Sequence, residues 1–218
     1  MREALISDIH GNYKGLEEAL KLLYKEGYDR LFCLGDVVPR DEKETQDCID
    51  IINQKCDIKI RGNHDEWALH GLRFESQRIN DYLKASQLIV REDDIAYAHM
   101  SPCHDYNFND YDDGYVYDQK SADRAFAKDH ARVIIIGHSH IPAAFCTDEI
   151  TILFEDSGTI SLDKNLRYIL TVGSVAESRD KNDAVSCAIY DKEASTFTIL
   201  RGKSDISHIF NFEKDIPK

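Results

Sequence analysis

Aspartate, asparagine and histidine recur in this chain where short apolar runs stop. Five segments share the pattern: Ala4-Leu-Ile-Ser-Asp8-Ile-His10, Leu31-Phe-Cys-Leu-Gly-Asp36, Ile58-Lys-Ile-Arg-Gly-Asn63-His64-Asp65, Ile95-Ala-Tyr-Ala-His99 and Val133-Ile-Ile-Ile-Gly-His138-Ser-His140. Asp8, His10, Asp36, Asn63, His99, His138 and His140 all carry metal-ligand side chains. Imidazole, carboxylate and amide without a thiolate suit Mn, Fe, Zn, Co or Ni. Seven ligands exceed what one four-coordinate ion takes. They suit two divalent ions, manganese foremost, that share Asp36 as a bridge. A pair of ions about 3.5–4 Å apart favours in-line displacement at phosphorus, with a bridging water largely hydroxide at neutral pH. His64 follows a ligand directly and is expected beside the ions, in a position to protonate a leaving group.

These residues need a scaffold that delivers them to one place. An apolar run that breaks sharply reads as a buried strand ending at a sheet edge, and open α/β sheets bind ligands beyond the carboxyl ends of their strands. In extended backbone, side chains two apart point the same way, so Asp8/His10 and His138/His140 are each expected to converge. Helices are expected from Leu16 to a cap at Gly27, over Glu42–Gln54, Glu66–Leu72 and Ser76–Ser86, and near Gln119–Asp129. The last third changes to short β-branched segments at Thr151–Phe154, Thr159–Leu162, Arg167–Val172, Val185–Tyr190 and Thr196–Arg201. That order predicts two sheets packed face to face with helices outside. One domain over 1–203 and a tail over 204–218 are expected.

The 218 residues are 42% hydrophobic and 31% charged, as in soluble globular proteins. No apolar run approaches the roughly 20 residues of a membrane helix, and no signal peptide is expected, because Asp8 and His10 would interrupt an apolar leader. A cytoplasmic protein with no membrane partner is the expectation. Six scattered cysteines without a C-x-x-C pair read as free thiols. A net charge of −13 opposes extended nucleic-acid binding. A small phosphate ester remains acceptable, because two divalent ions beside two aspartates and one hydroxide leave a formal local charge of about +1.

The series Asp8-x-His10, Gly35-Asp36, Gly62-Asn63-His64-Asp65, His99 and Gly137-His138-x-His140 resembles the metallophosphoesterase (calcineurin-like phosphoesterase) superfamily. Gly173-Ser-Val-Ala-Glu-Ser-Arg179-Asp180 is similar to a segment of its small prokaryotic phosphodiesterase branch. The resemblance implies an α/β fold, a four-layer α/β/β/α sandwich of two mixed sheets flanked by helices. It implies that Asp8, His10, Asp36 and His140 hold one metal and that Asp36, Asn63, His99 and His138 hold the other. His64 then matches the histidine that assists the leaving group. Arg40 and Arg179 become candidate phosphate contacts. Pro39-Arg40-Asp41 departs from the branch pattern, as do Ala176 and Ser178.

The reading is a phosphodiesterase acting on small diesters by attack of a metal-bridging hydroxide. The alternatives are a hydrolase of monoesters, phosphoproteins or dinucleoside polyphosphates, and a non-catalytic scaffold of the same fold. The aromatic, acidic stretch Cys103–Tyr117 is expected to form a lid or wall beside His99, or to fold back on the protein.

Overall fold

The structure, a computed structural model, describes residues 1–38, 42–71, 74–102 and 114–203. The chain opens with a strand and helix alternation: β1 (Arg2–Ile6), α1 (Tyr13–Glu26), β2 (Arg30–Cys33), α2 (Glu42–Lys55), β3 (Ile58–Lys59), α3 (Asn63–His70) and α4 (Gln77–Ala85). It continues through β4 (Ile89–Glu92), β5 (Ile95–Ala98), α5 (Gln119–Lys128) and β6 (Val133–Ile136). Strands alone follow: β7 (Pro142–Cys146), β8 (Thr151–Leu153), β9 (Gly158–Ser161), β10 (Tyr168–Val172), β11 (Val185–Asp191) and β12 (Thr196–Gly202).

The strands form two six-stranded mixed sheets, ordered β3-β2-β1-β11-β12-β9 and β4-β5-β6-β10-β7-β8. Each strand that delivers a candidate ligand is parallel to its neighbour. β1 runs with β2, and β5 with β6, so their carboxyl ends share one edge. Alternation along a strand buries both faces. Leu5, Phe32, Tyr97, Ile135, Leu170 and Ala188 fill the space between the sheets. Ala4, Ile6, Leu31 and Cys33 face outward against Leu16, Ala19 and Leu23 of α1 and Ile49 and Ile52 of α2. On the other side Ala98, Ile134 and Ile136 meet Ala122, Ala125 and Phe126 of α5. The order of layers is helix, sheet, sheet, helix, as the resemblance implies.

Local signals set the helix ends. Asn12 caps α1 through its side-chain oxygen, which accepts the Gly15 N–H at 2.9 Å. Gly27 closes it at a φ of 77°, a left-handed value that glycine adopts without strain. Three differences from expectation stand out. α3 starts at Asn63, three residues early, so Asn63 and His64 ride on its first turn. β4 and β7 are strands that the sequence pattern does not flag. β4 is half exposed, and β7 opens with Pro-Ala-Ala, residues of low strand preference. Pairing to β5 and β10 makes them strands.

Cys33, Cys48, Cys56, Cys146 and Cys187 are free and buried. No helix among the described residues is long and apolar enough to cross a membrane.

At the amino end of β1, opposite the ligand edge, Glu3 is fully buried and ties the sheets together. The Tyr97 hydroxyl of β5 donates to one carboxylate oxygen. Lys192 lies 2.7 Å and Arg30 3.6 Å from the other. Glu92 neutralises both cations, at 2.8 Å from Arg30 and 3.2 Å from Lys192. Removing one partner of such a group leaves buried charge uncompensated, at about 3–5 kcal/mol. Glu3→Ala is expected to lower unfolding stability by that order. Urea denaturation would refute this if its midpoint matched wild type.

Candidate metal centre

β1 and β2 end side by side, and the chain beyond each turns instead of extending. Asp8 N–H donates to Gly35 C=O at 3.0 Å, and Ile9 N–H to Asp36 C=O at 2.8 Å. Asp8, His10, Asp36, His138 and His140 have φ of 54°, 44°, 52°, 67° and 59°. Non-glycine residues in the left-handed region are uncommon, and strained ones gather at functional sites. The D-x-H and H-x-H pairs therefore do not converge as members of an extended strand. Their convergence comes from tight loops in which both residues are left-handed, a correction to the period-two argument.

All seven candidate ligands meet in this loop cluster. Asp8, His10 and His140 offer ligand atoms within 4.8 Å of one another, as do Asp36, His99 and His138. His140 Nε2 is 3.1 Å from Asp8 Oδ1, and His99 Nε2 is 3.2 Å from Asp36 Oδ2. Asn63 Oδ1 joins the second group, 3.1 Å from His99 Nε2. His10 Nε2 lies 3.8 Å from Asp36 Oδ2, which places Asp36 between the two groups. A third set, His10, Asp36 and His64, is equally tight, so distance alone does not separate His64 from the ligands.

The far side of each group is anchored. Leu34 C=O lies 2.9 Å from His99 Nδ1, and Glu177 C=O lies 2.7 Å from His140 Nδ1, so both rings present Nε2 to the centre. Asp8 Oδ2 accepts the His138 N–H at 3.0 Å, and Asp36 Oδ1 accepts the His64 N–H at 2.9 Å. Each aspartate thus keeps its other oxygen for the centre. Asp8 Oδ1, His10 Nε2 and His138 Nε2 are buried with no hydrogen-bond partner.

Electrostatics follow from two buried carboxylates side by side. Burial opposes the charge on Asp8, but His140 and His99 outweigh it and hold the group well below the carboxylate range. Burial likewise opposes charge on Asp36, and His99 and His64 outweigh it and hold that group well below the carboxylate range. Burial also works against a proton on His99, yet Asp36 and Asp8 raise it to about 9. Burial and the neighbouring His64 push His10 down to about 3. Burial, then His99, pushes His138 well down. Burial also lowers His64. His10 and His138 are therefore neutral imidazoles with a lone pair to give, the form that binds metals.

Asp65 supports the centre from behind, a role the motif does not reveal by itself. Its Oδ1 accepts the N–H groups of Val37 and Val38, both at 3.0 Å. Its Oδ2 accepts those of Asp36 at 2.9 Å and Gly62 at 3.0 Å. Burial and the charge of Asp36 raise Asp65 to about 6 despite these donors. The readable signal was Gly62-x-x-Asp65, the spacing of a helix N-cap with an acid at the third position. Gly62 admits no side chain because a Cβ there would strike Asp36 Oδ1, and at Gly137 a Cβ would strike Ser7 Oγ.

The 173–180 loop also packs on the site. Ser174 Oγ donates to Asp8 C=O at 3.0 Å, and Ala176 N–H donates to the same carbonyl at 3.0 Å. The Ser178 hydroxyl donates to Asp180 at 2.7 Å, and Arg201 lies 3.0 Å from the same carboxylate, which fixes the loop although Ser178 departs from the branch pattern. The Arg179 N–H donates to His140 C=O at 3.2 Å, and its side chain is exposed. Arg40 lies outside the described residues, as does 103–113 of the aromatic stretch. Of that stretch Tyr115 is described, and its ring lies 3.8 Å from that of His138.

An amide at 65 can accept one pair of the four N–H groups but turns donors toward the other pair. Asp65→Asn is expected to cost at least about 2 kcal/mol, since each orphaned buried donor costs about 1–3 kcal/mol. A urea midpoint within error of wild type would remove Asp65 from the support of the site.

A family model described as the calcineurin-like phosphoesterase superfamily domain matches residues 1–195. An uncharacterized protein of Methanocaldococcus jannaschii is 28% identical over 236 aligned positions, covering 95% of this chain and 89% of that one. The crystal structure of a metallophosphoesterase from Sphaerobacter thermophilus superposes with a TM-score of 0.82 at 25% identity, over 95% of this chain and 90% of that one. An archaeal phosphodiesterase shares the fold at 15% identity and a TM-score of 0.52, over 92% and 99% of the two chains. The two sheets, the clustered Asp and His side chains and these matches agree: the chain belongs to the calcineurin-like phosphoesterase superfamily.

Proposed function

We propose that this chain is a dinuclear metal-dependent phosphoesterase that hydrolyses small phosphodiesters. The observation that carries the reading is the set of orphaned atoms. Asp8 Oδ1, His10 Nε2 and His138 Nε2 are buried, unpartnered and aimed into one cluster. A buried polar atom without a partner is costly, and a cation in each of the two groups satisfies all three. The donor set of imidazole, carboxylate and one amide fits divalent transition ions, manganese foremost, with Fe, Zn, Co or Ni as alternatives.

Asp8, His10 and His140 would hold one ion, and Asn63, His99 and His138 the other, with Asp36 shared. That division uses each of the seven side chains and leaves His64 over. When bound, such ions supply Lewis acidity toward the phosphoryl oxygens and a strongly acidified water. The chain's own residues do the rest. Carbonyl anchors hold His99 and His140, so the reacting phosphate meets a fixed frame. His64 sits on the first turn of α3, its ring edge-on to His10 at 4.8 Å between centroids. From there it delivers a proton to the departing oxygen.

Arg179, tied by its main chain to His140, is proposed as a phosphate contact. Arg40 is proposed in the same role on the resemblance of its motif. The preference for diesters rests on the likeness of the 173–180 loop to that of the phosphodiesterase branch. The net charge of −13 favours a small substrate over nucleic acid.

Turnover of bis-p-nitrophenyl phosphate and p-nitrophenyl phosphate, with Mn²⁺ added and after chelation, tests the reading. Wild type is expected to favour the diester and to lose activity on chelation. Asp36→Asn should abolish turnover, and His64→Ala should lower kcat by about 10²–10⁴-fold. A wild type inert with every ion named, or variants that match it, rules the enzyme out. Faster monoester turnover rules out the diester preference alone.

A further inference from the structure

We propose that Tyr115 is a positioning residue for the metal centre: its ring clamps His138 in the orientation that presents Nε2 to the ion. This rests on the dinuclear reading above. His99 and His140 are each held by a backbone carbonyl at Nδ1. His138 is held differently. Its backbone N–H binds Asp8, but among the described residues no hydrogen bond anchors its ring. Tyr115 takes that place, stacked on the imidazole at 3.8 Å between centroids and 27° between planes. The edge of His99, at 5.1 Å and 64°, lies against the same ring. An imidazole turns easily about its second torsion, a broad and nearly two-fold rotor. A flat face against it removes that freedom, and the left-handed main chain at His138 fixes the remainder.

Tyr115 can act this way because its own backbone is pinned. Gly114 C=O accepts the Ser101 N–H at 3.0 Å, two residues after His99. A Cβ on Gly114 would come within 2.9 Å of Met100 Sδ, so the chain passes close against the His99 segment. On the other side Val116 is buried against the α5 layer. The ring thus stands between two fixed points and over one ligand.

Metal binding tests the assignment directly. Metal-free protein would be titrated with Co²⁺, following the electronic spectrum and the heat of binding, for wild type, Y115F, Y115L, Y115A and H138A. Wild type is expected to take two equivalents. Y115F keeps the face and should bind as wild type. Y115A and Y115L should weaken one equivalent by about 10–100-fold, the usual effect of losing a group that orients a ligand. The same equivalent should be lost in H138A, and Y115A/H138A should be no worse than H138A, because the two act through one contact. Y115L retains apolar bulk without a ring face, so it separates stacking from packing. Y115L or Y115A binding both equivalents as wild type does overturns the inference, as does additive loss in the double variant. A wild type that takes up no Co²⁺ overturns the dinuclear reading and this inference with it.

Discussion

Two buried carboxylates at the ends of adjacent parallel strands set the terms for the rest of this molecule. Asp8 and Asp36 are fully enclosed, and burial alone would strip both of their charge. They remain ionised because everything around them compensates. Backbone N–H groups of His138 and His64 bind one oxygen of each. Imidazoles face the other oxygens, and His99 is driven toward its protonated form by the pair. A cluster that must gather so much positive character around two acids is also a cluster prepared for cations.

The sandwich is the means of holding that arrangement. Parallel pairing of β1 with β2 and of β5 with β6 brings the ends of four strands to one edge. Burial on both faces locks the register, because a slip by one residue would exchange the inter-sheet set with the helix-facing set. The left-handed residues at 8, 10, 36, 138 and 140 are each disfavoured, by about 1 kcal/mol or more, and a loose frame would let them relax. Gly62 and Gly137 let the loops approach closely enough to touch. Asp65 gathers four N–H groups behind them.

How much of this the sequence discloses depends on which force writes each part. The strands that carry ligands are legible, since a run buried on both faces is nearly all apolar. The ligands are legible because they stand where those runs break. β7 is not, because Pro142-Ala-Ala becomes a strand only through its partner β10 across a long sequence gap. The start of α3 at Asn63 hides for a related reason: its first turn is shaped by Asp65 and Asp36 accepting main-chain N–H groups, contacts with no periodicity to read. The spacing of two in D-x-H and H-x-H is correctly linked to convergence but for the wrong local geometry. Arg179 is legible as a residue near the site, but the sequence does not show that its main-chain N–H binds the His140 carbonyl.

The imidazoles of the centre differ in what holds them. His99 and His140 are oriented by backbone carbonyls, which any side-chain substitution would leave in place. The His138 ring leans on a side chain instead, delivered by the aromatic stretch that follows His99. A motif can specify the first kind of support, because the backbone that supplies it belongs to the same loops. The second kind arrives from a segment outside those loops, joined to them only by contacts such as that of Gly114 C=O with Ser101 N–H. The His138 ring is therefore the part of the centre whose orientation depends on a side chain from beyond the motif loops, and a change at Tyr115 reaches it directly.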